Sequence, residues 1–199
     1  MTTDIPSRGD LREIGKQAMR AEIAQRAVAF LDERGFDETT VEEIAAAVGI
    51  SPRSFFRYFP SKEDVAIGDL MPMGQLIEGA LLARPQSESA WEALRASLAP
   101  LERIVAADTE TVRRTTRVSL STASLRAKTI ERHTAWAAVL APIVAHRLSG
   151  KKQHPGMAAE ALTQSALACL YVATSAWSAD ENSSYSDLLD EAFDAVAKI

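Results

Sequence analysis

Apolar residues recur at helical spacing along most of the chain, and no segment alternates apolar and polar residues with the period of a β-strand. The pattern predicts an all-α protein of about nine helices. Residues 1–10 are polar and are expected to form a disordered tail. Helices are expected at about 11–34, twice within 40–62, then at 62–82, 89–106, 111–120, 124–148, 157–179 and 186–198. Pro72 and Pro142 should bend the helices that contain them.

Two short helices joined by a tight turn are predicted between residues 40 and 62. Thr40 is a candidate N-cap for the first, and Glu43 stands three residues later to complete a capping box. Gly49 marks a turn that requires a left-handed backbone, and Ser51 is a candidate N-cap for the second helix. This is the pattern of a helix-turn-helix, whose second helix lies in the DNA major groove.

The second short helix combines a favourable start with a basic face. Pro52 suits a first helical position, and Arg53, Arg57 and Lys62 lie in residues 51–62, a stretch that contains no acid. The chain as a whole carries a formal charge of −5, so this local excess runs against the background. Arginine and lysine here can neutralise phosphates, and Arg53 can pair with a guanine edge. An ordinary helical hairpin with a solvated face is the alternative.

The run from Glu33 to Val65, ERGFDETTVEEIAAAVGISPRSFFRYFPSKEDV, resembles the N-terminal pattern of the tetracycline-repressor (TetR) family of bacterial transcription regulators. The resemblance is specific over about residues 20–66. It implies a three-helix DNA-binding domain at 11–66 and a helical ligand-binding and dimerisation domain at 67–199. It also implies a homodimeric repressor, released from a palindromic operator by a small ligand. The run FFRYFPSKEDV resembles the corresponding segment of a subgroup whose C-terminal part is described as binding acyl-CoA-like ligands.

Roles in DNA binding follow from this resemblance, position by position. Residues 52–54 would face bases, and Thr40, Tyr58 and Lys62 would contact phosphates. Phe56 stands where the family often has a tyrosine, so it would either touch a thymine methyl group or belong to the core. The predicted DNA-contacting residues are Thr40, Ser51, Pro52, Arg53, Ser54, Phe56, Arg57, Tyr58 and Lys62.

The C-terminal part contains residue types that line apolar ligand sites, namely large aromatic residues and adaptable methionines. Arg113 and Arg117 lie one helical turn apart and could bind an anionic group of a ligand. The alternative is that the aromatic residues are ordinary core and the arginines are solvated. The ligand-site candidates are Met73, Trp91, Arg113, Arg117, Trp136 and Tyr171.

The helix expected at 157–179 is nearly uncharged and apolar almost all round, so it must be buried on several sides. Together with 186–198 it could pair with its symmetry mate in an isologous four-helix interface. A monomer with a central core helix is the alternative. The predicted dimer-interface residues are Leu162, Ala166, Cys169, Ala173, Trp177, Leu189 and Phe193.

Several classes of function lack support in the sequence. No run of eighteen apolar residues or export signal occurs, and Cys169 is the only cysteine, so a cytoplasmic protein without a disulfide is expected. No nucleotide-binding or hydrolase motif is present, and His133, His146 and His154 lack metal-ligand spacing. We therefore expect no enzyme, cofactor or metal.

The expected partners are double-stranded operator DNA, a second copy of the chain and a small-molecule effector. The effector is expected to be mainly apolar, with or without an anionic group. Two other functions remain open from the sequence. One is a transcriptional activator of the same fold, and the other is a helical adaptor or ligand-binding protein that does not bind DNA.

Overall fold

A computed structural model describes residues 8–67, 71–150 and 153–198, which form eleven helices and no strand. The predicted all-α class is confirmed. The helices are α1 Arg8–Arg34, α2 Val41–Ala47, α3 Pro52–Tyr58, α4 Lys62–Ala66, α5 Met71–Leu82, α6 Ala90–Ser97, α7 Ala99–Ala107, α8 Thr109–Leu120, α9 Ala123–Leu148, α10 Pro155–Ala179 and α11 Tyr185–Ala197. No helix in these ranges is both long and apolar enough to span a membrane.

Helix boundaries differ from the predicted ones where prolines stand. The helix expected at 62–82 ends at Ala66, and α5 begins at Met71 with Pro72 in its second position, where a missing N–H costs nothing. The helix expected at 89–106 divides at Leu98 for the same reason, because Pro100 lies in the first turn of α7. These two divisions raise the helix number above the predicted nine.

The predicted disordered tail falls mostly outside the described residues, and its last three residues, 8–10, are already helical in α1. The helix that Pro72 was predicted to bend passes through residues 68–70, which also lie outside the described residues. The helix expected at 186–198 begins at Tyr185, and its N-cap is Ser184, whose hydroxyl accepts from the Asp187 amide.

The first hydrophobic core is formed by α1 to α4. Phe55 and Phe59 are fully buried, with ring centroids 5.6 Å apart, and Ile44 and Val65 pack in the same cluster. The capping box at Thr40 is present, Gly49 has φ of +76°, and the Ser51 hydroxyl accepts from the Ser54 amide at 3.1 Å. The local signals in 40–62 therefore produce the predicted helix-turn-helix.

The second core surrounds α10, which packs against α6, α8, α9 and α11. It buries most of the residues that were predicted to form a dimer interface: Trp177 is 1% exposed, Leu189 is 0% exposed, and the Cys169 thiol donates to the Ala192 carbonyl at 3.3 Å. Trp177, Leu189 and Cys169 are thus buried within one subunit, and the interface between α10 and α11 of two subunits stays a prediction. The other members are the buried Ala166, Ala173 and Phe193 and the partly buried Leu162.

The two cores meet along α8 and the start of α9. Val118 of α8 and Leu125 of α9 belong to the first core although they lie far along the chain. On the adjacent surface, Arg117 makes a two-pronged ion pair with Asp32 of α1, with its Nη2 atom 3.0 Å from the carboxylate. The neighbouring Asp32 carboxylate raises the pKa of the Arg117 guanidinium. The first core is therefore held against α8 by apolar and ionic contacts.

Candidate DNA interface and effector cavity

The outer face of α3 presents its polar side chains to solvent. Pro52, Arg53 and Arg57 are exposed and Ser54 is half-buried, whereas Phe55 on the opposite side is fully buried. Because Phe55 anchors the helix in the first core, the backbone at Arg53 is held in place while its side chain remains free. The exposed face contains arginine and no acid, so it can contact an anionic surface without a local repulsive charge.

Phe56 lies on the solvent side of α3. Its side chain is 54% exposed, and its ring meets Phe55 edge to face at a centroid distance of 5.5 Å. The structure therefore places Phe56 outside the core, and contact with a thymine methyl group stays a prediction. An exposed phenyl ring offers apolar contact but no hydrogen bond.

The last turn of α3 is supported by arginines on both sides. The Arg57 guanidinium lies 5.0 Å from the centre of the Tyr58 ring, and Arg20 of α1 donates to the Tyr58 carbonyl at 2.7 Å. Arg20 also lies 4.8 Å from the centre of the Phe59 ring. A cation at a helix C-terminus interacts favourably with the helix dipole, so Arg20 stabilises the end of α3.

Lys62 is engaged within the protein. Its Nζ atom donates to the carbonyls of Phe36 and Thr39, both at 2.8 Å, and lies 4.1 Å from the centre of the Phe36 ring. An ammonium group has three donors, so one remains for another acceptor. Lys62 thus ties the turn between α1 and α2 to α4, a structural role that the sequence did not reveal.

Thr40 is exposed at the start of α2 and takes part in a reciprocal cap. Its amide donates to the Glu43 carboxylate at 2.8 Å, and its hydroxyl accepts from the Glu43 amide at 3.2 Å. The hydrogen bonds from the Thr40 backbone and hydroxyl lower the pKa of Glu43. The α2 N-terminus is therefore reciprocally capped and lies beside the turn that Lys62 contacts.

A cavity of about 180 Å³ lies among the helices that form the second core. Helices α5 and α7 to α11 supply its walls, and Ile67, which ends α4, closes one side. The wall is mainly apolar, with several threonines on α8. Its apolar members include Leu101, Ile104, Val105, Val112, Leu120, Leu170 and Trp177. Concave, mainly apolar sites with a few polar groups are typical of small-molecule binding.

Three of the six predicted ligand-site residues line this cavity, namely Met73, Trp136 and Tyr171. Trp91 does not, because its ring packs against Phe193 at a centroid distance of 4.7 Å. The predicted site is corrected at this position.

The two predicted arginines are also used elsewhere. Arg113 is buried, lies 4.1 Å from the centre of the Trp177 ring, and donates to the carbonyls of Trp177 and Asp180, the latter at 2.7 Å. Arg117 pairs with Asp32 as described above. Both side chains therefore hold helices together, and neither lines the cavity.

The sequence analysis missed the charged residue that does line the cavity, Arg132 of α9, together with its neighbour His133. Burial lowers the pKa of Arg132 to about 10, so it stays charged at neutral pH. Burial, and then the positive charge of Arg132, lower the pKa of His133 to about 4. A signal was available, because 132 and 133 stand four and three positions before Trp136 and so share its helix face.

Comparisons with known proteins cover both the helix-turn-helix region and the helices around the cavity. Residues 23–67 match the bacterial regulatory proteins of the tetR family, and residues 88–199 match the MftR C-terminal domain. The chain belongs to the TetR family of bacterial transcriptional regulators. It is therefore a DNA-binding regulator, as the helix-turn-helix predicted.

Individual relatives of this TetR-family chain cover it to different extents. A protein of Mycobacterium tuberculosis named as the mycofactocin biosynthesis transcriptional regulator MftR is 30% identical over 87% of both chains. The regulator TcmR of Streptomyces glaucescens is 34% identical over 47% of this chain and 41% of its own. FadR of Bacillus subtilis, solved with stearoyl-CoA, shares the fold with a TM-score of 0.61 at 19% identity, covering 87% of this chain and 95% of FadR.

In this TetR-family chain the cavity and the DNA-binding core share structural elements. Ile67 lines the cavity and is also buried in the first core. On α8, Thr116 and Leu120 face the cavity, whereas Val118 packs in the first core. The cavity wall and the first core therefore share Ile67 and use neighbouring residues of α8.

Proposed function

We propose that this regulator is a homodimeric repressor that binds a palindromic operator and is released by a small effector in the α5–α11 cavity. The observation that supports it most is the exposed, acid-free face of α3, anchored by Phe55 and set next to a core that shares Ile67 and α8 with the cavity. No catalytic role is included in this proposal.

The DNA contacts divide into base and phosphate contacts. Arg53, exposed in the first turn of α3, is suited to a guanine edge, with Pro52 and Ser54 beside it. Phe56 offers its exposed ring to a thymine methyl group. The proposed phosphate contacts come from the N-termini of α2 and α3 and the basic residues around them, namely Thr40, Ser51, Arg57, Tyr58 and Lys62.

The proposed dimer interface uses the faces of α9 and α10 that the subunit leaves exposed. On α10, Ala161, Ala168 and Val172 are exposed, and Val172 retains 59% of its accessible surface. On α9, Val139 is 47% exposed among other small residues. Small side chains let two helix pairs approach closely, so a two-fold axis beside α9 and α10 would produce a four-helix interface.

The proposed chemistry of the effector is inferred from the residues that line the cavity, because the similarity to FadR concerns the fold alone. An apolar molecule would bury its surface against the cavity wall. Its contact with Ile67 and α8 would give it different affinities for the DNA-bound and the released conformation of the proposed dimer. Only such a difference in affinity lets a ligand shift an equilibrium. An acyl-type molecule, as in the FadR complex with stearoyl-CoA, is one class that fits this description.

The test is selection of bound sites from a random duplex library, followed by fluorescence anisotropy on the best site at two salt concentrations. We expect a palindrome and binding that weakens steeply with salt. Arg53→Ala should weaken binding by about 1–3 kcal/mol and relax preference at one base position in each half-site.

Arg103→Ala is the matched control, because Arg103 is an exposed arginine on α7, outside the proposed interface. It should leave both affinity and base preference unchanged. The assignment of α3 to the major groove fails if Arg53→Ala binds the selected site and its single-base variants in the same way as Arg103→Ala.

A further inference from the structure

The cavity contains a positive charge that the chain does not neutralise. The Nε and Nη1 atoms of Arg132 are buried, and within the described residues neither has a hydrogen-bond partner. No aspartate or glutamate lines the cavity, and the nearest groups that interact with this guanidinium are the ring of Trp136, 5.4 Å away, and His133. Arg132 as a whole is only partly buried, but two buried donors of a charged group that have no partner are unfavourable, so natural chains rarely retain them without a use.

Two further donors lie beside Arg132 in the same condition. The Trp136 Nε1 atom and the Thr129 hydroxyl are buried, and they too have no hydrogen-bond partner in the described residues. Residues 129, 132 and 136 are spaced so that they share one face of α9, and all three line the cavity. An indole N–H and a guanidinium can only donate, and a hydroxyl can donate as well. An acceptor with several lone pairs would satisfy all three donors.

We propose that Thr129, Arg132 and Trp136 form an anion subsite that binds the negatively charged head group of the effector. The inference rests on the proposed function and adds the class of ligand: a small amphiphile with one anionic group. Its apolar body would occupy the remainder of the cavity between α8, α9 and α10. A carboxylate is the simplest such head group, because it offers only acceptors and forms strong charge-assisted bonds with a guanidinium.

The size of the cavity restricts the body of the ligand. A volume of about 180 Å³ lies below the roughly 300 Å³ at which drug-sized sites begin, so a medium-length chain or a single ring with a short chain fits it. The neutral His133 at the same wall adds no second positive charge, because its pKa of about 4 leaves it uncharged at neutral pH. One charge on the wall matches one charge on the ligand.

The test is isothermal titration calorimetry of the DNA-free protein at pH 7 with acid and alcohol pairs of equal length. The pairs are octanoate with 1-octanol, decanoate with 1-decanol, and 4-phenylbutyrate with 4-phenylbutan-1-ol, and octyl phosphate tests a different anionic head. We expect at least one anion to bind about tenfold or more tightly than its alcohol, the range expected for a charged hydrogen bond. Equal affinities within every pair would overturn the proposal.

Variants assign the preference to Arg132. Arg132→Gln should reduce the ratio of acid to alcohol affinity to about one, and Arg132→Lys should restore part of it by returning the charge. Arg103→Gln removes the same charge from an exposed position in the same helical group and should leave the ratio unchanged. A preference for the anion that persists in Arg132→Gln would also overturn the proposal.

The stability of the ligand-free protein separates ligand binding from a structural role. If Arg132 served only to hold helices together, Arg132→Met would lower the melting temperature. Since its buried nitrogens have no partner, we expect Arg132→Met to melt at the same or a higher temperature without ligand, and to lose the stabilisation that decanoate or octanoate gives the unmodified protein.

These measurements are independent of operator binding. Calorimetry uses no DNA, so failure to find an operator leaves the affinity ratio unaffected. Conversely, equal acid and alcohol affinities refute the anion subsite while operator binding by α3 stands.

Discussion

Two glycines in α5 provide matched substitutions whose effects on stability should have opposite signs. A Cβ at Gly74 would lie 2.7 Å from both Cδ1 and Nε1 of Trp136, whereas a Cβ at Gly79 would meet no atom within 4 Å. Ordinary carbon contacts need about 3.5 Å, so Gly74→Ala must push the indole by about 0.8 Å. Trp136 is 6% exposed and lines the cavity, so its other neighbours confine the indole and a displacement carries it toward the space that a ligand would occupy.

The magnitude follows from two opposing contributions to the free energy of unfolding. Alanine in a helix interior is favoured over glycine by about 1 kcal/mol. Overpacking at a buried contact costs about 1–3 kcal/mol. We therefore expect Gly74→Ala to be destabilised by about 1 kcal/mol and Gly79→Ala to be stabilised by up to about 1 kcal/mol. For a chain of this size, each kcal/mol shifts the melting temperature by about 2–4 °C.

Thermal unfolding followed by circular dichroism measures both variants, and tryptophan fluorescence at 20 °C reports the displaced indole. Gly74→Ala should also bind cavity ligands more weakly, because Trp136 moves within the cavity wall. The reasoning is refuted if Gly74→Ala raises the melting temperature as much as Gly79→Ala does, since the close approach of α5 to Trp136 would then not exist.

Two further predictions concern Lys62 and His133. Lys62→Met removes two charge-assisted hydrogen bonds of a half-buried side chain and should lower the free energy of unfolding, measured in urea without DNA, by about 2 kcal/mol. The control Lys198→Met, at an exposed position, should lower it by less than about 0.5 kcal/mol. Equal losses in the two variants would refute the structural role of Lys62. The pKa of His133 falls from 6.5 to about 4 on folding, so the unfolded chain takes up the proton first as pH falls. Stability should therefore decline below about pH 6.5, by about 2 kcal/mol at pH 5, and His133→Gln should remove that part of the decline.

The helix-turn-helix could be predicted closely because its signals are local. The Thr40 and Glu43 cap, the left-handed Gly49 and the Ser51 cap each involve residues within a few positions of one another. Phe55 and Phe59 stand four positions apart, a helical spacing that lets both pack on one side, and both are buried. The sequence left Phe56 undecided, since a phenyl ring suits either side of a helix, and only the packing shows it to be exposed.

The cavity could be predicted only in part because its polar residues depend on distant partners. Arg113 is buried since its guanidinium reaches carbonyls at the end of α10, more than sixty positions away. Arg117 is drawn to Asp32 in α1. Helical spacing gives no information about such partners, and a charged residue such as Arg132 is ordinarily expected to be solvated.

The position of the anion subsite bears on how effector binding would reach the DNA. Arg132 and Trp136 lie on α9, whose first turn places Leu125 in the DNA-binding core, while Lys128 of α9 lies 3.9 Å from the Asp64 carboxylate of α4. A ligand held by its head group on α9 and by its apolar body against α8 and Ile67 contacts three elements that also contact the DNA-binding domain. Coupling requires ligand contacts that differ between two conformations of the protein. An amphiphile anchored at α9 should therefore change the position of α4 more than an apolar molecule of the same size that is free to shift in the cavity.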